Sequence, residues 1–420
     1  MKNKIKLFTL LASSSLLLSG CSLFNDDDLA YTNTYNTISP SPTSNPDAVV
    51  AGGVEATEVK AVPNALCFKD ISYAENETIK NTYGDIEYQI NDGDDYSANK
   101  SSNNYDLYVP ESASRSEKHT VILFIHGGAW VSGFKTDVNQ YVYEFANRGY
   151  VTATIKYTLL KRSMDDPTLS IFRNLDEIDA CIKSIKSVLK ELGFDTSKSE
   201  LVIGGASSGA HLSMLYSYSR GDKCPLPIKF VVDAVGPVDI KPDSWKSFKS
   251  ETEEVLNAGI SAAAIDAQIA ADNLDELAIA GEEGDDAIWN AYQTVRIANG
   301  MCGMPYSLAE VEAAKLDGGA VDMTSDVAQS MTKANGGQDL LSVTSYIGIT
   351  NSYPIITAYA GKDRIVGINQ FATLERVLIS RSIEYESFYF KNCDHAEIDA
   401  AHDKTNYDAF VNKVDEWCKK

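Results

Sequence analysis

The pattern of apolar and polar positions predicts a series of strands separated by helices. Continuous apolar runs, which a strand buried on both faces of a sheet requires, occupy residues 120–125, 151–155, 201–203, 230–235 and 355–360. Segments 86–90 and 105–109 alternate apolar and polar residues with period two, so we expect them to form a leading antiparallel pair. Segment 384–390 is predicted to be the last strand.

Helical periodicity lies between these strands. It is clearest from Ile178 to Leu192, where apolar residues recur at i, i+3, i+4 and i+7 opposite Lys and Glu. This alternation predicts the α/β class, with a mostly parallel eight-stranded sheet flanked by helices.

One region interrupts the alternation. Residues 241–345 contain no good strand run and are rich in Ala, Asp and Glu, while Ser307 and Glu310 form a capping box that predicts the start of a helix. We interpret 241–345 as a helical insertion and a candidate lid. A structural appendage away from the functional site is the alternative.

The beginning of the chain has the pattern of an export signal. Three lysines precede an apolar stretch over residues 7–18, which is shorter than the roughly 20 residues that a membrane-spanning helix needs. Residues 18–21, Leu-Ser-Gly-Cys, resemble the lipobox of bacterial lipoproteins. The resemblance implies a signal peptide over residues 1–20, lipid attachment to Cys21, and a lipid-anchored location in the cell envelope, outside the cytoplasm.

Residues 21–63 are predicted to form a flexible tether, because they are rich in Asp, Asn, Ser, Thr and Pro and can bury little apolar surface. The remaining residues, 64–420, are predicted to form the folded domain.

Net charge limits the possible partners. The chain has 37 Lys and Arg residues against 59 Asp and Glu residues, a formal charge of −22. This balance argues against a nucleic-acid partner and against docking of the folded surface on anionic lipid. Membrane contact is therefore expected only through Cys21. Seven cysteines are present without CxxC pairs or metal-type spacing, so no metal site is expected.

A candidate nucleophile lies in the segment Gly205-Ala206-Ser207-Ser208-Gly209. This segment follows the apolar run 201–203 and precedes a plausible helix, which is the strand–turn–helix context of a nucleophile elbow. The sharp turn would project the Ser207 hydroxyl above the sheet, at the positive end of the following helix.

A second motif, His126-Gly127-Gly128-Ala129-Trp130, directly follows the apolar run 120–125. An acyl-transfer site needs hydrogen-bond donors where negative charge develops on the carbonyl oxygen. Two adjacent glycines allow backbone amides to turn towards that point without an obstructing side chain.

HGGAW followed by GASSGAH resembles the α/β-hydrolase esterases and lipases with an HGG oxyanion loop, the hormone-sensitive-lipase-like and related acyl esterases. The resemblance covers about residues 84–240 and 346–420 and leaves the insertion unmatched. It implies an α/β-hydrolase fold with Ser207 as nucleophile and no cofactor. It also implies that the amides of Gly127, Gly128 and Ser208 bind the oxyanion, while His126 supports the loop.

The order of the triad in this fold is Ser, then Asp or Glu, then His. Of the five histidines, two precede Ser207, and His211 lies one turn along the same helix, too close to act as its base. His395 follows the last predicted strand directly and is the predicted base. His402 opens the final amphipathic segment, where an exposed or packing role is expected.

Asp363 is the predicted acid. It follows the strand 355–360 in Gly361-Lys362-Asp363-Arg364-Ile365-Val366, which resembles the G-x-D-x-x-V acid loop of the family. Asp394 adjoins His395 and cannot easily reach its far ring nitrogen. The sequence departs from the family at residues 157–162, Tyr-Thr-Leu-Leu-Lys-Arg, and at Asn392 and Cys393, where a glycine usually precedes the catalytic histidine.

These features predict a serine-dependent carboxylic ester hydrolase that acts through an acyl-enzyme on a small acyl ester or an acylated carbohydrate. Two alternatives stay open. One is a serine peptidase of the same fold, and the other is a non-catalytic binding protein on a hydrolase scaffold.

Overall fold

The computed structural model describes residues 48–73, 78–80, 87–89, 103–130, 132–160, 169–240, 301, 308–314, 322, 324–327, 329, 337–363 and 365–420. The predicted signal peptide, Cys21 and most of the predicted lid lie outside these residues. Within the described ranges, no helix combines the length and the apolar character needed to cross a bilayer.

Eight strands form the main sheet. In chain order they are β1 Ala65–Ser72, β2 Asn104–Pro110, β3 His119–Ile125, β4 Val151–Lys156, β5 Ser199–Ala206, β6 Ile228–Ala234, β7 Ile355–Ala360 and β8 Tyr385–Phe390. Their order across the sheet is β1-β2-β4-β3-β5-β6-β7-β8. Strands β3 to β8 are parallel to one another. Near one edge of the sheet, β2 runs antiparallel to both of its neighbours, β1 and β4. The mostly parallel eight-stranded sheet is as predicted.

The predicted leading pair is wrong. Strand β2 pairs with β1, whereas Glu87–Gln89 pairs with Thr78–Lys80 in a separate two-stranded sheet. Strand β1 escaped prediction because a register shift between Phe68 and Ile71 interrupts its alternation, and Asp70 in that bulge has φ 59°. A bulge adds a residue to one strand and so breaks the period of two.

Helices cover both faces of the sheet. Their bounds are α1 Asn139–Asn147, α2 Ile171–Glu191, α3 Ser208–Arg220, α4 Leu308–Ala313, α5 Gly337–Leu341, α6 Ile368–Arg381 and α7 Ala400–Lys419. Apolar side chains of α2, α3 and α6 pack on one face, and those of α1 and α7 pack on the other. Alternate residues of a central strand serve the two cores, as Leu123 and Phe124 of β3 do.

The tether prediction is wrong for residues 48–63. Val50–Ala51 and Val54–Glu55 form a short hairpin, and Thr57 pairs with Cys67 of β1. Ala51 and Val62 are buried, and the Gly52 amide donates to the Glu191 carboxylate over 2.8 Å. Nine of these sixteen residues are Val or Ala, and apolar contacts and pairing with an edge strand order the segment, so residues 48–63 are part of the folded domain.

The two ends of the predicted insertion meet beside α6. The Ser342 hydroxyl donates to the Asp239 carboxylate over 2.9 Å and accepts from the Ile240 amide over 3.0 Å. The amides of Val238 and Asp239 donate to the Gln370 side-chain oxygen over 2.8 and 2.9 Å. We call this group, Val238 to Ile240 with Ser342 and Gln370, the insertion root. Helix α4 begins at Leu308, where the capping box predicted a helix.

Candidate active site

Ser207 lies at the sharp turn between β5 and α3. Its φ is 54° and its ψ is −123°, a conformation that non-glycine residues rarely adopt. The Ser207 amide donates to the Ala234 carbonyl over 2.8 Å, and the Ser207 carbonyl accepts from the His211 amide over 3.0 Å. Such strain persists only where the surrounding structure fixes the backbone, and it is concentrated at functional sites.

The glycines on either side of Ser207 allow this turn to fit. A Cβ on Gly209 would lie 2.1 Å from the Ile125 carbonyl oxygen, and one on Gly205 would lie 2.4 Å from the Gly209 carbonyl carbon. Both obstructions are backbone atoms, so neither can move aside cheaply. Helix α3 can approach β3 and β5 this closely only with glycine at both positions.

Ser207, His395 and Asp363 form one hydrogen-bonded chain. His395 Nε2 lies 2.8 Å from Ser207 Oγ, and His395 Nδ1 lies 2.7 Å from Asp363 Oδ2. Because a carboxylate accepts hydrogen bonds, Nδ1 carries the proton and donates it to Asp363. Nε2 is then left with a lone pair that accepts from the serine hydroxyl. The structure thus brings together the three residues predicted from the order of motifs.

The loops that carry the acid and the histidine follow adjacent parallel strands. Asp363 Oδ1 accepts from the amides of Ile365 and Val366, each over 2.8 Å, which fixes the direction of its carboxylate. The Lys362 amide donates to the Cys393 carbonyl over 2.9 Å and joins the two loops. Cys393, which is buried, lies in the segment where this sequence lacks the glycine that usually precedes the histidine in the family it resembles.

Two alternatives for the triad are excluded by position. The Asp394 carboxylate accepts from the His395 backbone amide over 2.7 Å and does not bond the ring. His402 is about half exposed, and its Nδ1 bonds Asp399 over 2.9 Å at the start of α7, in agreement with the exposed role predicted for it.

The loop after β3 lies against Ser207 and has an unusual backbone. Gly128, Ala129 and Trp130 have φ values of 114°, 51° and 62° in succession. A Cβ on Gly127 would lie 3.1 Å from Ser207 Cβ, so the loop is in contact with the elbow. Among the described residues, the amides of Gly127, Gly128 and Ser208 have no hydrogen-bond acceptor. The oxyanion role of these three amides stays a prediction, with which their lack of an acceptor is compatible.

His126 and Tyr157 support this loop. His126 Nδ1 donates to the Gly127 carbonyl over 2.8 Å, and its ring stacks on Tyr157 with centroids 4.3 Å apart. The Tyr157 hydroxyl donates to the His126 carbonyl over 3.2 Å. The supporting role predicted for His126 agrees with these contacts, whereas Tyr157 was noted only as part of a departure from the family.

Buried charges hold the segment that begins with Tyr157. The carboxylate of Glu177 on α2 accepts from the Thr158 amide over 2.8 Å, from the Thr158 hydroxyl over 2.6 Å and from Arg173 over 3.1 Å. Both members of the Arg173–Glu177 pair are buried, and each extra hydrogen bond offsets part of the cost of removing charge from water. The network fixes Thr158 and, through it, the tyrosine beside the loop.

Asp233 is a further buried carboxyl group below the elbow. It accepts from the Thr357 hydroxyl over 2.6 Å and from the Gly236 amide over 2.8 Å. Burial raises the pKa of Asp233 to about 7 and outweighs these hydrogen bonds, which lower it. The turn that Asp233 closes contains Val235 at φ 53° and follows Ala234, whose carbonyl bonds the Ser207 amide. Asp233 therefore supports the backbone of the elbow from beneath.

Asp233→Asn is expected to reduce the loss of stability between pH 4 and pH 7. The pKa of Asp233 is raised in the folded state, from 3.8 to about 7, so the folded protein keeps a proton that the unfolded chain releases, and stability falls as the pH rises. At 1.36 kcal/mol per pH unit, this contribution reaches at most about 4 kcal/mol. Urea unfolding of both proteins at several pH values measures the difference, with Asp408→Asn on α7 as an exposed control. An identical pH dependence in wild type and Asp233→Asn would contradict the assignment.

Comparisons with known proteins agree with this fold. A model of the family described as BD-FAE, an α/β-hydrolase-type esterase family, matches residues 105–274, less than half of the chain. Esterase B from Lactobacillus rhamnosis superposes with a TM-score of 0.50 at 14% identity over 86% of this chain and 89% of that chain. A truncated carbohydrate esterase from gut microbiota gives a TM-score of 0.52 at 14% identity over 86% and 99%. The predicted α/β-hydrolase fold is confirmed.

A curated relative matches a smaller part of the chain. The non-reducing polyketide synthase atr1 of Stereocaulon alpinum is 25% identical over 152 residues. That match covers 35% of this chain and only 6% of the synthase.

Proposed function

We propose that this protein is a serine-dependent carboxylic ester hydrolase. The observation that carries the proposal is the chain from Ser207 through His395 to Asp363, with hydrogen bonds of 2.8 and 2.7 Å, beside a loop with free amides. A nucleophile, a base and an orienting acid within hydrogen-bond reach are the requirements for covalent acyl transfer. The match to an esterase family model over residues 105–274, which include the elbow and the loop, supports the same chemistry.

The geometry performs the reaction in two halves. His395 Nε2 takes the proton of the Ser207 hydroxyl as the serine oxygen attacks the ester carbonyl, and the amides of Gly127, Gly128 and Ser208 bind the resulting oxyanion. The protonated His395 then gives its proton to the departing alcohol, which leaves an acyl-Ser207. In the second half His395 takes a proton from a water molecule as the water oxygen attacks the acyl group. The protonated His395 then returns this proton to the Ser207 oxygen as the carboxylic acid leaves.

The proposed substrate is a small acyl ester or an acylated carbohydrate. The net charge of −22 disfavours polyanionic substrates, because like charge lowers their local concentration. One structure of similar fold is a carbohydrate esterase, which makes acetylated xylan a useful test. We also propose that the lipobox-like segment ending at Cys21 anchors the protein by lipid outside the cytoplasm.

Labelling and turnover test this proposal together. We expect a fluorophosphonate probe to modify the wild-type protein once, with the label found by mass spectrometry on the peptide that contains Ser207. Turnover should be measurable on short-chain nitrophenyl esters or acetylated xylan and negligible on dipeptide amides. Faster cleavage of amides would support a serine peptidase instead. A folded protein that neither reacts with the probe nor hydrolyses any ester would support the non-catalytic alternative.

A further inference from the structure

One buried histidine that takes no part in proton transfer contacts three elements of the site. His211 lies on α3 one turn after Ser207, and its side chain is completely buried. Its backbone amide donates to the Ser207 carbonyl. The His211 ring is therefore carried by the first turn of the helix that follows Ser207.

Both ring nitrogens of His211 are in hydrogen bonds. Nδ1 lies 3.3 Å from the indole nitrogen of Trp130, and Nε2 lies 2.8 Å from the Leu341 carbonyl oxygen. The indole N–H can only donate and the carbonyl can only accept, so His211 carries one proton, on Nε2, and offers a lone pair on Nδ1. The two partners thus require a neutral ring in a single tautomer.

Burial favours that neutral state. It lowers the pKa of His211 to about 4, although the hydrogen bond to Leu341 acts in the opposite direction. At neutral pH the ring is uncharged, and the lone pair on Nδ1 remains available to Trp130. The Trp130 indole meets the His211 ring edge-on, with centroids 5.2 Å apart and planes at 86°.

Trp130 follows Gly128 and Ala129 in a run of three consecutive residues with positive φ in the loop beside Ser207. A non-glycine residue in this region costs about 1 to 3 kcal/mol, so the conformation requires support from its surroundings. The Trp130 carbonyl accepts from the Leu160 amide over 2.8 Å, and the His211 ring holds the indole. These two contacts fix the loop on both its backbone side and its side-chain side.

Leu341 connects the same ring to the insertion root. It is the last residue of α5 and directly precedes Ser342, whose hydroxyl bonds Asp239 and Ile240. The carbonyl that selects the His211 tautomer therefore belongs to the residue that directly precedes Ser342 of the insertion root.

We propose that His211 is a positioning residue that holds Trp130 and, through it, the amides of Gly127 and Gly128 in register with Ser207. The Leu341 carbonyl fixes the tautomer that makes this possible. The inference rests on the proposed ester hydrolysis, because its effect is on binding of the oxyanion. A histidine that merely filled the core would affect the stability of the fold and leave turnover of the folded protein unchanged.

Variants of the pair separate these roles. Loss of a whole oxyanion donor lowers kcat by about 10²- to 10³-fold, so misplacement of the loop in Trp130→Phe is expected to lower kcat by about 10- to 100-fold with little change in KM. His211→Ala should give a similar loss, and the double variant should be no worse than the worse single variant, because both break one contact. Trp417→Phe, which replaces a buried tryptophan that packs on Phe230 in the other core, is the matched control.

A folding control and a rescue variant distinguish loss of positioning from loss of the fold. Circular dichroism and the thermal midpoint identify variants that are folded at the assay temperature. His211→Asn, which keeps a polar acceptor near the position of Nδ1, should regain part of the kcat lost in His211→Ala. Undiminished kcat in folded Trp130→Phe, or losses that multiply in the double variant, would overturn the proposal. Failure of the wild type to react with a fluorophosphonate would instead overturn the proposed function, so the two failures are distinguishable.

Discussion

Ser207→Ala is expected to lower kcat on a nitrophenyl ester by about 10⁴- to 10⁶-fold, as loss of the nucleophile does in serine hydrolases. Without the hydroxyl, no acyl-enzyme forms, and His395 has no oxygen nucleophile to activate at 2.8 Å. The free amides of the loop still bind and polarise the ester, so a small residual rate above that of water is expected. Burst kinetics and steady-state turnover measure the loss.

Ser219→Ala is the matched control for this variant. Ser219 lies near the far end of α3, and its hydroxyl bonds the Leu215 carbonyl within the helix, so its removal should leave kcat unchanged. Labelling by a fluorophosphonate should disappear in Ser207→Ala and persist in Ser219→Ala. If Ser207→Ala kept most of the wild-type turnover, another residue would have to be the nucleophile.

Asp363→Asn is expected to lower kcat by about 10⁴-fold, the size of effect known where a triad aspartate is replaced by its amide. The asparagine side chain can present an N–H to His395 Nδ1, and the ring then carries its proton on Nε2. That tautomer cannot accept the serine proton. Because the ring keeps its place, KM should change little. Initial rates measured over a range of substrate concentrations give kcat and KM separately.

Asp394→Asn distinguishes the two neighbouring carboxylates. Asp394 bonds the backbone amide of His395 rather than the ring, so its loss is expected to reduce kcat far less than the loss of Asp363. Equal losses in the two variants would show that the direction of the Asp363 carboxylate is not what orients the histidine. Thermal midpoints for both variants establish that the comparison is between folded proteins.

The catalytic candidates were predictable because each lies in a local pattern with a fixed relation to a strand. Ser207 stands between an apolar run and a helix, and Asp363 and His395 each follow a strand that is apolar or regular enough to find. The carboxyl ends of parallel strands meet at one edge of the sheet. This rule, together with the Ser–Asp–His order of the family that the motifs resemble, predicted the contact between residues 207 and 395.

The supporting residues were not predictable because their roles depend on packing between distant segments. His211 could only be excluded as the base, since its partners at Trp130 and Leu341 lie 81 and 130 residues away. The raised pKa of Asp233 depends on complete burial, and a strand pattern alone does not reveal which polar residue is accommodated inside a core. Residues 48–63 were assigned to the tether because they were grouped with the polar residues before them, although nine of the sixteen are Val or Ala. The strand that they pair with was itself hidden by a bulge.

The paired ends at Asp239 and Ser342 have a consequence for how this protein can diversify. The chain leaves and returns at residues that are hydrogen-bonded to each other. For a flexible loop between such ends, each doubling of the number of residues costs only about 0.6 kcal/mol of closure entropy. Gains and losses of sequence between these residues are therefore tolerated more readily than changes in the strands around them. Evolution, or a designer exchanging segments between homologues, can therefore change the residues between these two positions while the strands and loops that carry Ser207, Asp363 and His395 keep their sequence.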